Sequence, residues 1–210
     1  GYFRNQLLWH LALMHLADGG YERVRQLFEG VFGGIPIVVG SDLQDSVSLS
    51  WRLDLFDHPD PTRWARLGAA ARGWLDLPLL LFHDLHVGMA LAASGDWPAA
   101  EQQLERLRQR GRKSSNRTLP EVVVPLLEGL HAFARGDYPA TVMLVEPIQE
   151  RIVEVGGSHA QREVFHDTLL AAALRADQDE RATTLLQKRL ATRPNPGHYW
   201  TTVRRAAPPA

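Results

Sequence analysis

Stretches rich in alanine and leucine alternate with short polar corners along the chain. Three corners are nearly the same tripeptide: Gly19-Gly20-Tyr21, Gly95-Asp96-Trp97 and Gly136-Asp137-Tyr138. Gly95 and Gly136 lie 41 residues apart, and the same step reaches Asp177, inside Asp177-Gln178-Asp179-Glu180. Gly19 and Gly95 lie 76 residues apart, two steps of 38, which puts another corner near the helix break Asp57-His58-Pro59-Asp60-Pro61. A period near 40 predicts stacked helical hairpins. The predicted helices span 3–18, 21–32, 42–56, 61–75, 79–94, 97–110, 119–135, 138–155, 159–176 and 179–192, ten helices in five hairpins. Gly33 to Gly40 and Gly111 to Thr118 read as loops. The segment 194–210, with prolines close together and small residues at its end, reads as a mostly irregular tail after a repeat domain over 1–193.

Alignment on the corners exposes the packing logic. Seven residues before each corner stand Ala12, Ser50, Gly88, Gly129 and Leu170, four of them small, as close helix approach requires. Five residues after it stand Val24, Ala100, Thr141 and Ala182, with Ala65 serving the second hairpin. Tyr21, Trp97 and Tyr138 are placed to staple each second helix to its first. Gly19, Gly95 and Gly136 suit the left-handed residue that ends a helix. Asp96 and Asp137 suit the cap of the next, with Pro98 and Pro139 in its first turn.

Composition narrows the partners. The 210 residues are 45% hydrophobic, enough for one large domain or a short stack of hairpins. A net charge of -1 gives no electrostatic reason to expect nucleic acid. The basic cluster Arg106, Arg108, Arg110, Arg112, Lys113 and Arg117 reads as a solvated helix end. With no cysteine, disulfides and thiolate metal sites are excluded. The apolar runs are shorter than the ~20 residues that span a bilayer, so no membrane is expected, and a cytoplasmic location fits. The start at Gly1-Tyr2-Phe3, without Met, is that expected of a fragment.

The Gly-Asp-Tyr-x-x-Ala spacing, with a small residue seven before the Gly, resembles the tetratricopeptide repeat, although the period is nearer 40 than 34 and the closing proline is missing. A closer resemblance covers nearly the whole chain. Trp9-His10-Leu11-Ala12-Leu13, Asp45-Ser46 with Trp51-Arg52-Leu53, Leu80-Leu81-Phe82-His83-Asp84-Leu85-His86, and Arg151-Ile152-Val153 through Gly156-Gly157-Ser158-His159-Ala160-Gln161-Arg162-Glu163-Val164-Phe165 are similar to the C-terminal half of the tetratricopeptide repeat protein 38 family. The resemblance implies an all-α, TPR-like superhelix of about five hairpins, within a protein roughly twice as long as these 210 residues. It implies no reaction.

Candidate chemistry rests on histidine, aspartate and arginine. His10 and His86 each stand nine residues before a corner glycine and so take equivalent places on two first helices. Asp84, on the face expected to meet a neighbour, needs a cation; Arg52 or Arg162 can supply it, as a structural bridge or as a means of orienting His86. In Gly156-Gly157-Ser158-His159-Ala160-Gln161-Arg162, a helix start with Gln161 and Arg162 offers donors to a phosphate or carboxylate, or serves only as a cap. His83-Asp84-His86 is thin as a metal motif, and neither HExxH nor GxSxG is present. No metal and no cofactor are expected.

Three readings follow. The first is a scaffold that binds a protein or peptide on its concave face. The second is a small-molecule or enzymatic pocket in which His10, Arg52, Asp84, His86 and Arg162 converge, with Gln161 beside Arg162 as a further ligand-binding candidate. The third is a structural half that packs on a missing N-terminal half through Leu7, Leu8 and Leu11.

Overall fold

The five corners predicted from spacing share one backbone state. Gly19, Asp57, Gly95, Gly136 and Asp177 have φ of 75°, 64°, 77°, 78° and 54°. Glycine reaches this left-handed region freely, and aspartate is among the few other residues that tolerate it. The second and fifth corners therefore do with aspartate what the others do with glycine.

The computed structural model describes residues 2–31, 40–77, 80–192 and 197–206. These are helix and turn, with no strand among the described residues. The first helices of successive hairpins are α1 (Tyr2–Ala17), α3 (Gly40–Leu55), α5 (Leu81–Ala93), α7 (Val124–Ala134) and α9 (His159–Arg175). The second helices are α2 (Tyr21–Val31), α4 (Pro61–Arg72), α6 (Trp97–Lys113), α8 (Tyr138–Val145) and α10 (Asp179–Thr192). A wide π-type turn, Leu119–Val123, leads into α7, and a 3-10 segment, Glu146–Val155, follows α8. The expected single helix over 138–155 breaks there because Pro147 lacks an N–H and its ring crowds the preceding turn. No helix among the described residues is long and apolar enough to cross a membrane. Most of the loop expected from Gly33 lies outside the described residues, and Gly40 already belongs to α3.

The small residues mark real close approaches. A Cβ on Gly88 would stand 2.4 Å from Leu127 Cδ1 and 2.7 Å from Gln103 Oε1. One on Gly129 would stand 2.4 Å from Val145 Cγ2. Val24, Ala100, Thr141 and Ala182 are buried as expected, but Ala65 is exposed, and Arg63, Trp64, Leu67 and Gly68 face inward on α4 instead. The aromatic residues after the corners reach further than anticipated. Tyr21 lies tilted against His58 with ring centroids 4.1 Å apart, and Trp97 stands edge-on to His131 at 6.2 Å, so each touches the following hairpin. Asp137 and Asp60 cap their helices, whereas Asp96 makes no cap bond and pairs with Arg72 at 2.5 Å.

The first helices do not stand in an open row. α3 packs on α5, α5 on α7 and α7 on α9, and α9 returns to touch α3. Trp51 Nε1 donates to Thr168 Oγ1 at 2.9 Å across that last contact. Phe82 and Phe165 join α5 to α9, with ring centroids 6.0 Å apart. As a result Leu43 through Leu53 of α3 are all buried, although that stretch includes Gln44, Asp45, Ser46, Ser48, Ser50 and Arg52.

The tail corrects the irregular reading: His198–Ala206 forms a helix, α11, lying on α1. Tyr199 stacks on Phe56 at 4.6 Å, and Trp200, buried, meets the same ring edge-on at 5.7 Å.

Candidate functional site

Where the C-terminal ends of α3, α5, α7 and α9 meet, they leave a recess of about 570 Å³. Helix α3 and its corner supply Trp51, Asp54, Asp57 and Pro59; α5 supplies Ala93; α7 supplies Phe133 and Ala134; Tyr138 begins α8; and Arg175 ends α9. Three aromatic rings form a chain, with Trp51 to Phe133 at 5.7 Å and Phe133 to Tyr138 at 5.3 Å.

Charge is arranged around those rings. The Arg175 guanidinium lies 5.3 Å from the Phe133 centroid and 5.6 Å from that of Tyr138. It donates to the carbonyls of Asp54 (3.3 Å) and Leu55 (3.2 Å) and to Asp57 Oδ1 (3.2 Å). A cation is favoured there both by the ring faces and by the carbonyls at the C-terminal end of α3. Trp64 Nε1 donates to Asp54 Oδ2 at 2.5 Å. Burial nevertheless pushes the Asp54 carboxyl up to about 6, against the pull of Trp64, Arg63 and Arg175. Its other oxygen is buried without a hydrogen-bond partner.

The six residues singled out from sequence do not gather here. His10 is exposed, and its Nδ1 stands 2.8 Å from the Gln6 carbonyl. His86, at the equivalent place on α5, is buried; its Nδ1 lies 2.8 Å from the Phe82 carbonyl and its Nε2 has no partner. Desolvation holds that imidazole down to about 3, so it is neutral at physiological pH. Asp84 meets neither Arg52 nor Arg162 in an ion pair. Its partner is Arg110, at 2.8 Å, from the last turn of α6 in its own hairpin. The basic cluster is thus not merely solvated: Arg108 pairs with Glu128 and Arg106 with Asp76. Asp84 and Arg110 line one recess, while Arg52 lines a separate cavity of about 80 Å³ beneath α11. Arg52 donates to Ser48 and, at 2.7 Å, to the Ala160 carbonyl. Gln161 and Ser158 form a reciprocal capping box, and Arg162 donates to the Gly157 carbonyl, closing the turn before α9. Among the described residues, no three His, Asp or Glu side chains stand together as metal ligands would.

The sequence does not single out Asp54, Phe133, Tyr138 or Arg175 as site residues. A signal for them exists: every residue lining the recess lies within six positions of a corner. Corner-proximal side chains of several hairpins meet only if the first helices close on one another, which the period alone does not state. Comparison with protein-family models gives no match for this chain, and no solved structure matches it.

Proposed function

We propose that this chain is a TPR-like helical-repeat scaffold, akin to the tetratricopeptide repeat protein 38 family, that binds a protein or peptide partner in the cytoplasm. The observation that carries the proposal is the corner-end recess with Trp51, Phe133, Tyr138, Asp54, Asp57 and Arg175 around it. Concave sites with aromatic walls and a few convergent polar groups are where ligands bind, and Trp, Tyr and Arg supply most hot spots of protein interfaces. The surface available to the partner is this end of the inner helices rather than a groove along them, since α3 and α9 are in contact. A His/Asp/Arg reaction centre gains no support from the geometry: those side chains are spent on caps, turns and ion pairs in different parts of the fold.

A peptide display screen against the purified chain tests this. Enriched peptides are expected to bind the wild type and to lose affinity about tenfold or more on Tyr138→Ala, the scale of a hot-spot truncation. Asp57→Asn, which keeps a residue tolerant of the left-handed corner, is expected to weaken binding without unfolding. Peptides that bind both variants as well as the wild type, or no enrichment at all, overturn the reading.

A further inference from the structure

Helix α1 carries a second surface, unrelated to the recess. Leu7, Leu11 and Met14 are exposed, Leu7 and Met14 by 61% and 66%, and Leu8 beside them is half-buried. Their spacing, four then three, puts them in one stripe along the helix. The same positions relative to the corner are Asp45, Leu49 and Arg52 in α3, His83, Val87 and Ala90 in α5, Val124, Glu128 and His131 in α7, and Phe165, Leu169 and Ala172 in α9. Ten of these twelve are buried, and the other two, His83 and Glu128, are half-buried. On α1 alone, the face that neighbouring helices cover elsewhere is bare.

The ends of the stripe say what covers it. Continuing the same spacing gives Arg4 before Leu7 and Asp18 after Met14, both exposed and neither in an ion pair among the described residues. The run Arg4, Leu7, Leu11, Met14, Asp18 is thus near-symmetric about Leu11, with opposite charges seven residues to either side, Leu7 four before and Met14 three after. Turned end for end, it places Leu11 on its own copy, Leu7 on Met14, and Arg4 on Asp18. We propose that two copies of this chain pair through α1, antiparallel about a two-fold axis at Leu11. An isologous contact of this kind uses one patch twice and closes the assembly at two. The Arg4–Asp18 ion pair forms twice by symmetry, and it fixes the antiparallel direction, because a parallel pair would set Arg4 against Arg4 and Asp18 against Asp18.

Sedimentation equilibrium of the full 210-residue chain at about 5 and about 200 μM decides the matter, since the higher concentration populates even a dimer of Kd ~100 μM. A monomer–dimer equilibrium is expected. Leu11→Glu is expected to give a monomer with unchanged circular dichroism; Met14→Glu, at a more exposed position, serves if that variant misfolds. Arg4→Glu alone and Asp18→Arg alone are each expected to weaken the dimer about tenfold, and the double swap to restore it. A wild type that stays monomeric at the higher concentration overturns the proposal, and so does a dimer that survives both glutamate substitutions. A double swap that fails to recover overturns the antiparallel pairing and points to a helical hairpin of another polypeptide on this face.

Discussion

Trp51 and Thr168, 117 residues apart, share a buried 2.9 Å hydrogen bond that ties the second hairpin to the fifth. The indole N–H is buried, so loss of its acceptor leaves a buried donor unpaired. Thr168→Val keeps the shape and removes the oxygen. It is expected to lower the unfolding free energy by ~1–2 kcal/mol, the cost of leaving a buried donor unpaired. Urea denaturation measures it, and a loss below ~0.3 kcal/mol would show that the bond contributes nothing to closure.

Arg110 is expected to matter only when Asp84 is charged. Burial pushes that carboxyl up to about 6, with Arg110 pulling the other way. At pH 8 the carboxylate is ionised and needs its partner; at pH 5 it is largely protonated and does not. Arg110→Met should therefore destabilise by ~1 kcal/mol at pH 8, a value discounted because Arg110 is 40% exposed, and by much less at pH 5. Equal losses at both pH values would assign the effect to packing of the side-chain stem.

His86 supplies a pH dependence of opposite sign to that of the buried acids. Its folded value near 3 lies below its ordinary 6.5. Between those values the unfolded chain binds a proton that the folded chain refuses. The His86 contribution is thus complete above about pH 6.5 and declines as the pH falls toward 3. Asp45, pushed up to about 7 by burial and by Asp42, acts in reverse, favouring the fold at the acid end of its own window. His86→Gln should remove only the contribution of the histidine. The gain in stability from pH 4.5 to pH 7 is then expected to be smaller in the variant than in the wild type by ~2 kcal/mol. Parallel pH profiles for the two proteins would contradict a neutral, desolvated imidazole.

Gly88 is expected to resist even one added methyl. Its Cβ would press on Leu127 and Gln103, which belong to two different neighbours, α7 and α6. Gly88→Ala should cost ~1–3 kcal/mol, the range for overpacking, despite the better helix propensity of alanine. A stabilised Gly88→Ala would mean that both side chains move aside freely.

Much of the fold is legible in the sequence because corners, caps and small residues are local and repeat. Aspartate at 57 and 177 aligns with glycine at 19, 95 and 136, and the backbone there agrees. Closure is not legible. Helix α3 looks like a surface helix, with Gln44, Asp45, Ser46, Ser48, Ser50 and Arg52, yet it is buried throughout its middle. Serine is small enough to let other helices approach, and its hydroxyl can bond back to its own backbone, as Ser46 does to the Asp42 carbonyl. Its polarity in the sequence therefore says little about its exposure. The pairing of Asp84 escapes the sequence for a related reason: spacing points to a neighbouring hairpin for the cation, whereas a long arginine one helix away in the same hairpin reaches it first. The break at Pro147, by contrast, is readable from the proline itself.

Contact between α3 and α9 bears on how this molecule comes apart and how it can evolve. Units joined only to their sequence neighbours melt or multiply one at a time, with energies that nearly add. Here the second unit also leans on the fifth, so a lost or inserted hairpin between them would pull that contact out of register. The number of hairpins between these two is fixed by that contact, unfolding should sweep through residues 40–175 as a single event, and the late meeting of segments so distant in the chain should set the pace of folding.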